Sequence, residues 1–282
     1  MLQFTTIRGL KDFIRLQKQK GVSIGFVPTM GALHGGHLSM VRQGKKENDL
    51  LVASIFVNPI QFNNPGDLEK YPRTPEKDIS LLVCENCDIL FCPGSAEMYP
   101  PDERQEPAVD LGHLDKILEG AFRPGHFRGV AIVVKKLLEI VEPDRAYFGK
   151  KDYQQLRVIQ FMVNTLGLPV AIIPCETVRE SDGLAMSSRN MRLPVPARLI
   201  APKIYETLRW VKSEAGTIPP ARLAVMARQR LEAIPGFKPE YLEIADAETL
   251  LPLESWEKGR KAVALTAVFL GEVRLIDNLE LF

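Results

Sequence analysis

Two histidines three residues apart, His34 and His37, follow Gly31 and flank Gly35 and Gly36. Imidazole N–H groups so placed can donate to phosphate oxygens and to charge that develops there in a transition state. One such histidine alone reads as a surface residue or a satisfied core group; the pair in this setting points to phosphate chemistry. The elements that must position them are adjacent in the chain. Val22 to Val27 is an apolar run of strand type, with Pro28 expected to end it. The glycines then permit a tight turn, and Leu38 and Val41 begin a helical spacing. A strand, a glycine turn and a helix N-terminus make an anion site from free N–H groups and the positive end of the helix dipole.

Further strands and helices alternate along the chain. Thr6 to Lys20 has helical spacing, and Leu50 to Val57 is a second apolar run ending at Asn58-Pro59, with Gln61 in the loop beyond. Thr74-Pro75 reads as an N-cap and first helical residue, with Ile79, Leu82 and Val83 on the buried face. Asp88 to Cys92 is expected as a strand, and Pro93 to Pro107 as an irregular surface segment. Arg128 to Val141 repeats apolar residues on one helical face. Ala146 to Phe148 is a short strand broken by Gly149, followed by a helix from Asp152 with Leu156, Ile159 and Val163 inward, then a strand over Val170 to Ile173. This alternation predicts an α/β domain over residues 1–180, a doubly wound Rossmann-like parallel sheet. Helical patterns at Ala197 to Lys212 and Ala221 to Ala233 precede strands at Tyr241 to Ile244, Ala262 to Leu270 and Val273 to Ile276. Residues 181–282 are therefore expected as a smaller α+β domain.

Ligands of doubly wound sheets gather beyond the carboxyl ends of the strands. Three polar clusters occupy such positions: His34 with His37, Asn58 with Gln61, and Gly149-Lys150-Lys151-Asp152. The fold predicts that they converge.

Composition narrows the function classes. The 282 residues are 45% hydrophobic and 25% charged, ordinary for a soluble globular protein, with room for two domains. A net charge of +1 argues against a nucleic-acid partner. No apolar run approaches the ~20 residues of a membrane span. The N-terminus lacks an apolar signal core, so a cytoplasmic location is expected. Cys84 and Cys87 have metal-site spacing, but a structural zinc needs four ligands; Cys92 ends a strand and Cys175 is isolated, so buried thiols are the expected reading.

His34-Gly35-Gly36-His37 resembles the His-x-Gly-His signature of the nucleotidyltransferase superfamily, and Pro28 to Val41 resembles the pantoate–β-alanine ligase family within it. Gly149 to Gln155 is similar to that family's Gly-Glu-Lys-Asp-x-Gln-Gln, with Lys150 replacing the glutamate. Met186-Ser187-Ser188-Arg189-Asn190 resembles its second phosphate loop, where hydroxyls, N–H groups and a guanidinium would grip a triphosphate. Tyr71 to Thr74, Arg123 to Phe127 and Ile276 to Asn278 extend the resemblance. It implies that pantoate and β-alanine are joined at the expense of Mg-ATP, through an acyl adenylate and without nucleic acid or membrane partners. It implies catalytic roles for His34, His37, Lys151, Ser187, Ser188 and Arg189. It places ATP on these residues and on Met30, Gly31, Gly149, Asp152, Val178 and Met186. Pantoate and β-alanine fall to Asn58, Gln61 and Gln155, and Asp78 becomes a possible Mg²⁺ contact. A homodimer and a lid role for residues 181–282 are also implied. Two alternatives remain at this stage: a nucleotidylyltransferase with a phosphate acceptor, and a non-catalytic nucleotide- or RNA-binding protein.

Overall fold

A computed structural model describes residues 1–102 and 109–282, so the expected irregular segment Pro93 to Pro107 lies partly outside the described residues. Its described part includes a short helical turn, Ser95–Met98. The chain divides into two compact units, Met1–Lys150 with Gln155–Glu176, and Lys151–Gln154 with Thr177–Phe282.

The first unit is built on six parallel strands: β1 (Leu2–Phe4), β2 (Ile24–Thr29), β3 (Leu50–Ile55), β4 (Ile89–Phe91), β5 (Arg145–Gly149) and β6 (Ala171–Cys175). Their order across the sheet is β1-β4-β3-β2-β5-β6. From β2 the chain winds outward through β3 to β4, then returns to lay β5 on the other side. The reversal between β2 and β5 is the switch point of a doubly wound sheet, where ligands of such folds bind. Burial on both faces explains the composition of the inner strands: Ile24, Phe26, Val27, Leu51, Val52, Ala53 and the whole of β4 are inaccessible to solvent. Each fully buried Ile, Leu or Phe contributes about 1.5–3 kcal/mol relative to exposure.

Local rules account for most boundaries. Thr6 caps the helix Ile7–Lys18, its hydroxyl accepting the Gly9 N–H at 3.3 Å. Four expectations are corrected. Pro28 does not end β2; it stays in the ladder opposite Ser54, because β2 pairs with β5 only at Gly25 and Phe26. A residue without an N–H removes no bond where one neighbour has already diverged. Gly149 likewise closes β5 rather than breaking it, pairing with Cys175. Val83 is half exposed, leaving Leu82 as the fully buried anchor of the helix Pro75–Cys84. The expected helix Ala197 to Lys212 is two helices, Val195–Ile200 and Lys203–Glu214, parted around Pro202. The edge strand β1 was not anticipated; three residues are too few for a periodic signal.

The second unit is a three-stranded antiparallel sheet, β7 (Phe237–Asp246), β8 (Ala262–Leu270) and β9 (Val273–Glu280), in that order. Leu208 and Val211 of one helix and Leu223, Ala227 and Leu231 of the helix Pro220–Glu232 share a core with Ile244, Ala264 and Val268 of the sheet. Among the described residues no helix is long and apolar enough to cross a membrane.

Candidate active site

The helix Gly35–Glu47 starts directly after β2 and its turn, with His34 as its N-cap. Both histidines serve the cap. His34 Nδ1 accepts from the Gly36 N–H at 3.2 Å, and His37 Nδ1 accepts from the His34 N–H at 3.4 Å. The arrangement is a capping box in which imidazoles replace the usual hydroxyl and carboxylate. Accepting at Nδ1 requires the tautomer with hydrogen on Nε2, so each ring is set to donate from its outer nitrogen. The ring centroids lie 4.0 Å apart. Two donors are thereby paired at a helix N-terminus, on the strand that borders the switch point.

The turn before the cap is held from below. Gly31 and Ala32 both have positive φ, 79° and 49°, which is permissive for glycine and strained for alanine. Asp78, almost wholly buried, accepts the Ala32 N–H at 2.9 Å and the Leu33 N–H at 2.8 Å on its two carboxylate oxygens. The Thr74 hydroxyl donates to Asp78 at 3.1 Å instead of capping its own helix. Asp78, expected as a possible Mg²⁺ contact, therefore has both oxygens engaged by the turn.

Asn58 and Gln61 lie in the loop after β3, in and before the 3-10 turn Pro59–Gln61, and both are buried. Asn58 Nδ2 donates to Gln61 Oε1 at 3.1 Å and to the Gly129 carbonyl at 3.2 Å. Gln61 Nε2 lies 3.3 Å from Met30 Sδ, joining this loop to the end of β2. Tyr99, which the sequence did not point to, and His126 join the group. The Tyr99 hydroxyl donates to Asn58 Oδ1 at 2.8 Å, and buried His126 places Nδ1 2.8 Å from the Gln61 carbonyl. The Arg123 to Phe127 run signalled His126, but only its fold position gives it a partner. A Cβ on Gly129 would lie 2.8 Å from the Gln61 backbone. Gly129→Ala should therefore push Gln61 outward, lowering stability by about 1–3 kcal/mol. Thermal unfolding and the concentration dependence on the ligand of Gln61 measure the two effects; unchanged values for both would show that the loop yields freely.

Gly149 ends β5, beside the switch point. Lys150 Nζ pairs with Glu176 Oε1 at 2.7 Å, so the lysine that departs from the family pattern has a carboxylate partner within the same unit. Gln155 lies half-buried in the first turn of the helix Tyr153–Leu166.

The remaining expected residues belong to the second unit. The Met186 N–H donates to the Val178 carbonyl at 3.0 Å, closing a hairpin in which Arg179 bridges to Ala185. Ser187 follows as the cap of the turn Ser188–Arg192, its Oγ accepting the Arg189 N–H at 3.3 Å. Lys151, Ser187, Arg189 and Asn190 line one small cleft with Arg274 and Asp277. Lys151 Nζ also lies 3.5 Å from Asp152 Oδ1. The structure thus groups His34, His37, Met30, Gly31, Asn58 and Gln61 within the first unit. It groups Lys151, Asp152, Val178, Met186, Ser187, Ser188 and Arg189 within the second.

Both groups can bind anions through oriented N–H donors, and the second adds fixed positive charge. Comparison with known proteins decides the family, since a family model described as pantoate-beta-alanine ligase matches residues 2–280. The chain belongs to the pantoate–β-alanine ligase family. It is 48% identical over 278 residues to the pantothenate synthetase of Porphyromonas gingivalis, covering 98% of each chain. It is likewise 48% identical to that of Cytophaga hutchinsonii over 283 residues, with 99% of each covered. The crystal structure of the Thermus thermophilus enzyme superposes with a TM-score of 0.92 at 44% identity, covering 100% of both chains. That of the Francisella tularensis ligase, complexed with beta-gamma ATP and beta-alanine, gives 0.80 at 38% identity, covering 99% and 97%.

Three cysteines of this ligase, Cys87, Cys92 and Cys175, are not prepared as nucleophiles. Burial pushes the Cys87 and Cys175 thiols up to about 11, the direction opposite to activation. Burial also raises Cys92, whereas Cys84 lies exposed at the end of its helix, contrary to the buried thiol expected there.

Proposed function

We propose that this member of the pantoate–β-alanine ligase family joins its substrates through a bound pantoyl adenylate. The pantoate carboxylate oxygen attacks the α-phosphorus of ATP, and the bond from that phosphorus to the bridging oxygen breaks to release pyrophosphate. The β-alanine amine then attacks the acyl carbon. The acyl C–O bond breaks, AMP leaves with the oxygen, and the amine loses a proton. A carboxylate is a poor acyl donor until its oxygen becomes part of a good leaving group, and adenylation supplies one.

The observation that carries this reading is the paired histidine cap. With Nδ1 of each ring accepting a backbone N–H, hydrogen is left on both Nε2 atoms at a helix N-terminus that follows the central strand, donors of the kind that suit charge on a transferring phosphate. In the proposal His34 and His37 stabilise that charge, and Lys151, Ser187, Ser188 and Arg189 neutralise the departing pyrophosphate. Met30, Gly31, Gly149, Asp152, Val178 and Met186 complete the ATP contacts. Asn58, Gln61 and Gln155 hold pantoate, since an amide offers both donors and an acceptor to hydroxyls and a carboxylate. Mg²⁺ enters on the triphosphate as part of the substrate. The ATP and beta-alanine named for the Francisella complex support the substrate assignment.

The order of chemistry is testable. Labelled pyrophosphate should exchange into ATP when pantoate is present and β-alanine absent. With ¹⁸O in the pantoate carboxylate, label should appear in AMP. Exchange that strictly required β-alanine would argue against a separate adenylate, and AMP without label would rule out attack by the carboxylate.

A further inference from the structure

Within the second unit, the two segments assigned to the triphosphate lie far apart in sequence and meet on β9. The junction is Asp277-Asn278. Asp277 is buried and takes a two-pronged ion pair from Arg179, with Nη1 2.7 Å from Oδ2 and Nη2 3.0 Å from Oδ1. The planar guanidinium fork suits a carboxylate in this way, which a lysine ammonium cannot reproduce. Arg179 also donates to the Gly183 carbonyl at 3.1 Å and to the Asn278 carbonyl at 3.2 Å. Its guanidinium carbon lies 3.6 Å from the centre of the Tyr205 ring. Gly183, at φ 94°, fits beneath the same ring, where a Cβ would come within 2.7 Å. The whole hairpin from Val178 to Met186 is thus fastened to β9.

The other segment reaches the same point. Asn278 Nδ2 donates to the Lys151 carbonyl at 2.8 Å, across 127 residues of chain. β9 is a firm anchor for both, because Asp277 and Asn278 pair in unbroken register with Thr266 and Leu265 of β8. On the far side of the hairpin, Asn190 Nδ2 donates to the Ala185 carbonyl at 3.0 Å, which ties the Ser187–Arg189 turn to the hairpin's last strand. Hydrogen bonds therefore link Lys151 through Asn278 and Asp277 to Arg179, and the hairpin that Arg179 belongs to carries the link on to the Ser187–Arg189 turn. Arg179 and Asn278 are not among the residues lining the small cleft of Lys151, Ser187 and Arg189, whereas Asp277 borders it.

We propose that Arg179, Asp277 and Asn278 are positioning residues that hold Lys151 and the Ser187–Arg189 turn at a fixed separation, so that both grip one triphosphate. The inference rests on the assignment of those two segments to ATP. Positioning matters here because the charge of a rigid site acts on the transition state without reorganising first.

Two mild variants test it. Arg179→Lys keeps the charge and loses the fork; Asn278→Ala removes only the amide that holds Lys151. Each should lower kcat/KM for ATP about tenfold, the scale of one lost hydrogen bond that orients a reacting group, while KM for pantoate stays unchanged. Asn278→Ala placed on a Lys151→Ala background should cause no further loss, since the residue acts through Lys151. A purely structural role would lower the melting temperature and leave kcat/KM per folded molecule intact, which would overturn the proposal. Additive losses in the double variant would also overturn it. Should Arg179→Lys fail to fold, Asn278→Ala decides alone. The underlying assignment is checked separately by Lys151→Ala. If that variant uses ATP normally, the assignment fails and the inference with it. If it is impaired while Asn278→Ala is not, only the positioning role fails.

Discussion

His34→Asn should leave the protein folded and close to its normal stability, yet lower adenylate formation by about 10²–10³-fold, the scale of losing one preorganised donor. The expectation follows from the division of labour within the ring. Nδ1 of His34 caps the helix by accepting from Gly36, and the asparagine side-chain oxygen can take over that bond, asparagine being among the best N-cap residues. Nothing in asparagine reaches the position of Nε2. His34→Gln divides the functions the other way: its amide extends to the Nε2 position and should retain more of the rate, while the cap is lost at a cost of about 1 kcal/mol. His37→Ala should lose both the donor and the reciprocal cap. Pyrophosphate exchange measures the rates, and thermal unfolding the caps. Full exchange in His34→Asn would mean that Nε2 is not the acting group.

Asp78→Asn should be destabilised by about 2–5 kcal/mol, and its remaining folded fraction should adenylate pantoate poorly. The carboxylate is buried and accepts two turn N–H groups with its two oxygens. An amide supplies one acceptor and turns an NH₂ toward the second N–H, so a buried donor is left without a partner, at about 1–3 kcal/mol, and the charge assistance to the other bond is lost. The turn it releases contains Ala32 at φ 49°, a conformation that alanine leaves readily once the restraint is gone. His34 follows two residues later, so its cap and its aim should loosen together. Titration with Mg²⁺ separates this role from metal binding. If Asp78 acted on the metal, excess Mg²⁺ would restore much of the rate; if it holds the turn, added Mg²⁺ leaves both the rate and the melting temperature low.

The alternation of strands and helices, the change to an α+β pattern in the last third, and the placement of His34, Asn58 and Gly149 at strand ends were legible in the residues alone. Periodicity, turn chemistry and capping act over a few residues, and they survive in any reading of the sequence. Pro28 and Pro202 mark where local reading fails in both directions. The first sits inside a strand because β5 has already diverged from β2, whereas the second parts two helices within what the apolar pattern alone joined. What only the tertiary structure decided are the pairings between distant residues: Asp78 with Ala32 and Leu33, His126 with Gln61, and Asn278 with Lys151. Sequence spacing carries no trace of them, because a hydrogen bond depends on where the fold brings two groups and not on how far apart they stand along the chain. The tautomers of His34 and His37 belong to the same class, since they follow from the hydrogen bonds that each Nδ1 accepts in the folded turn.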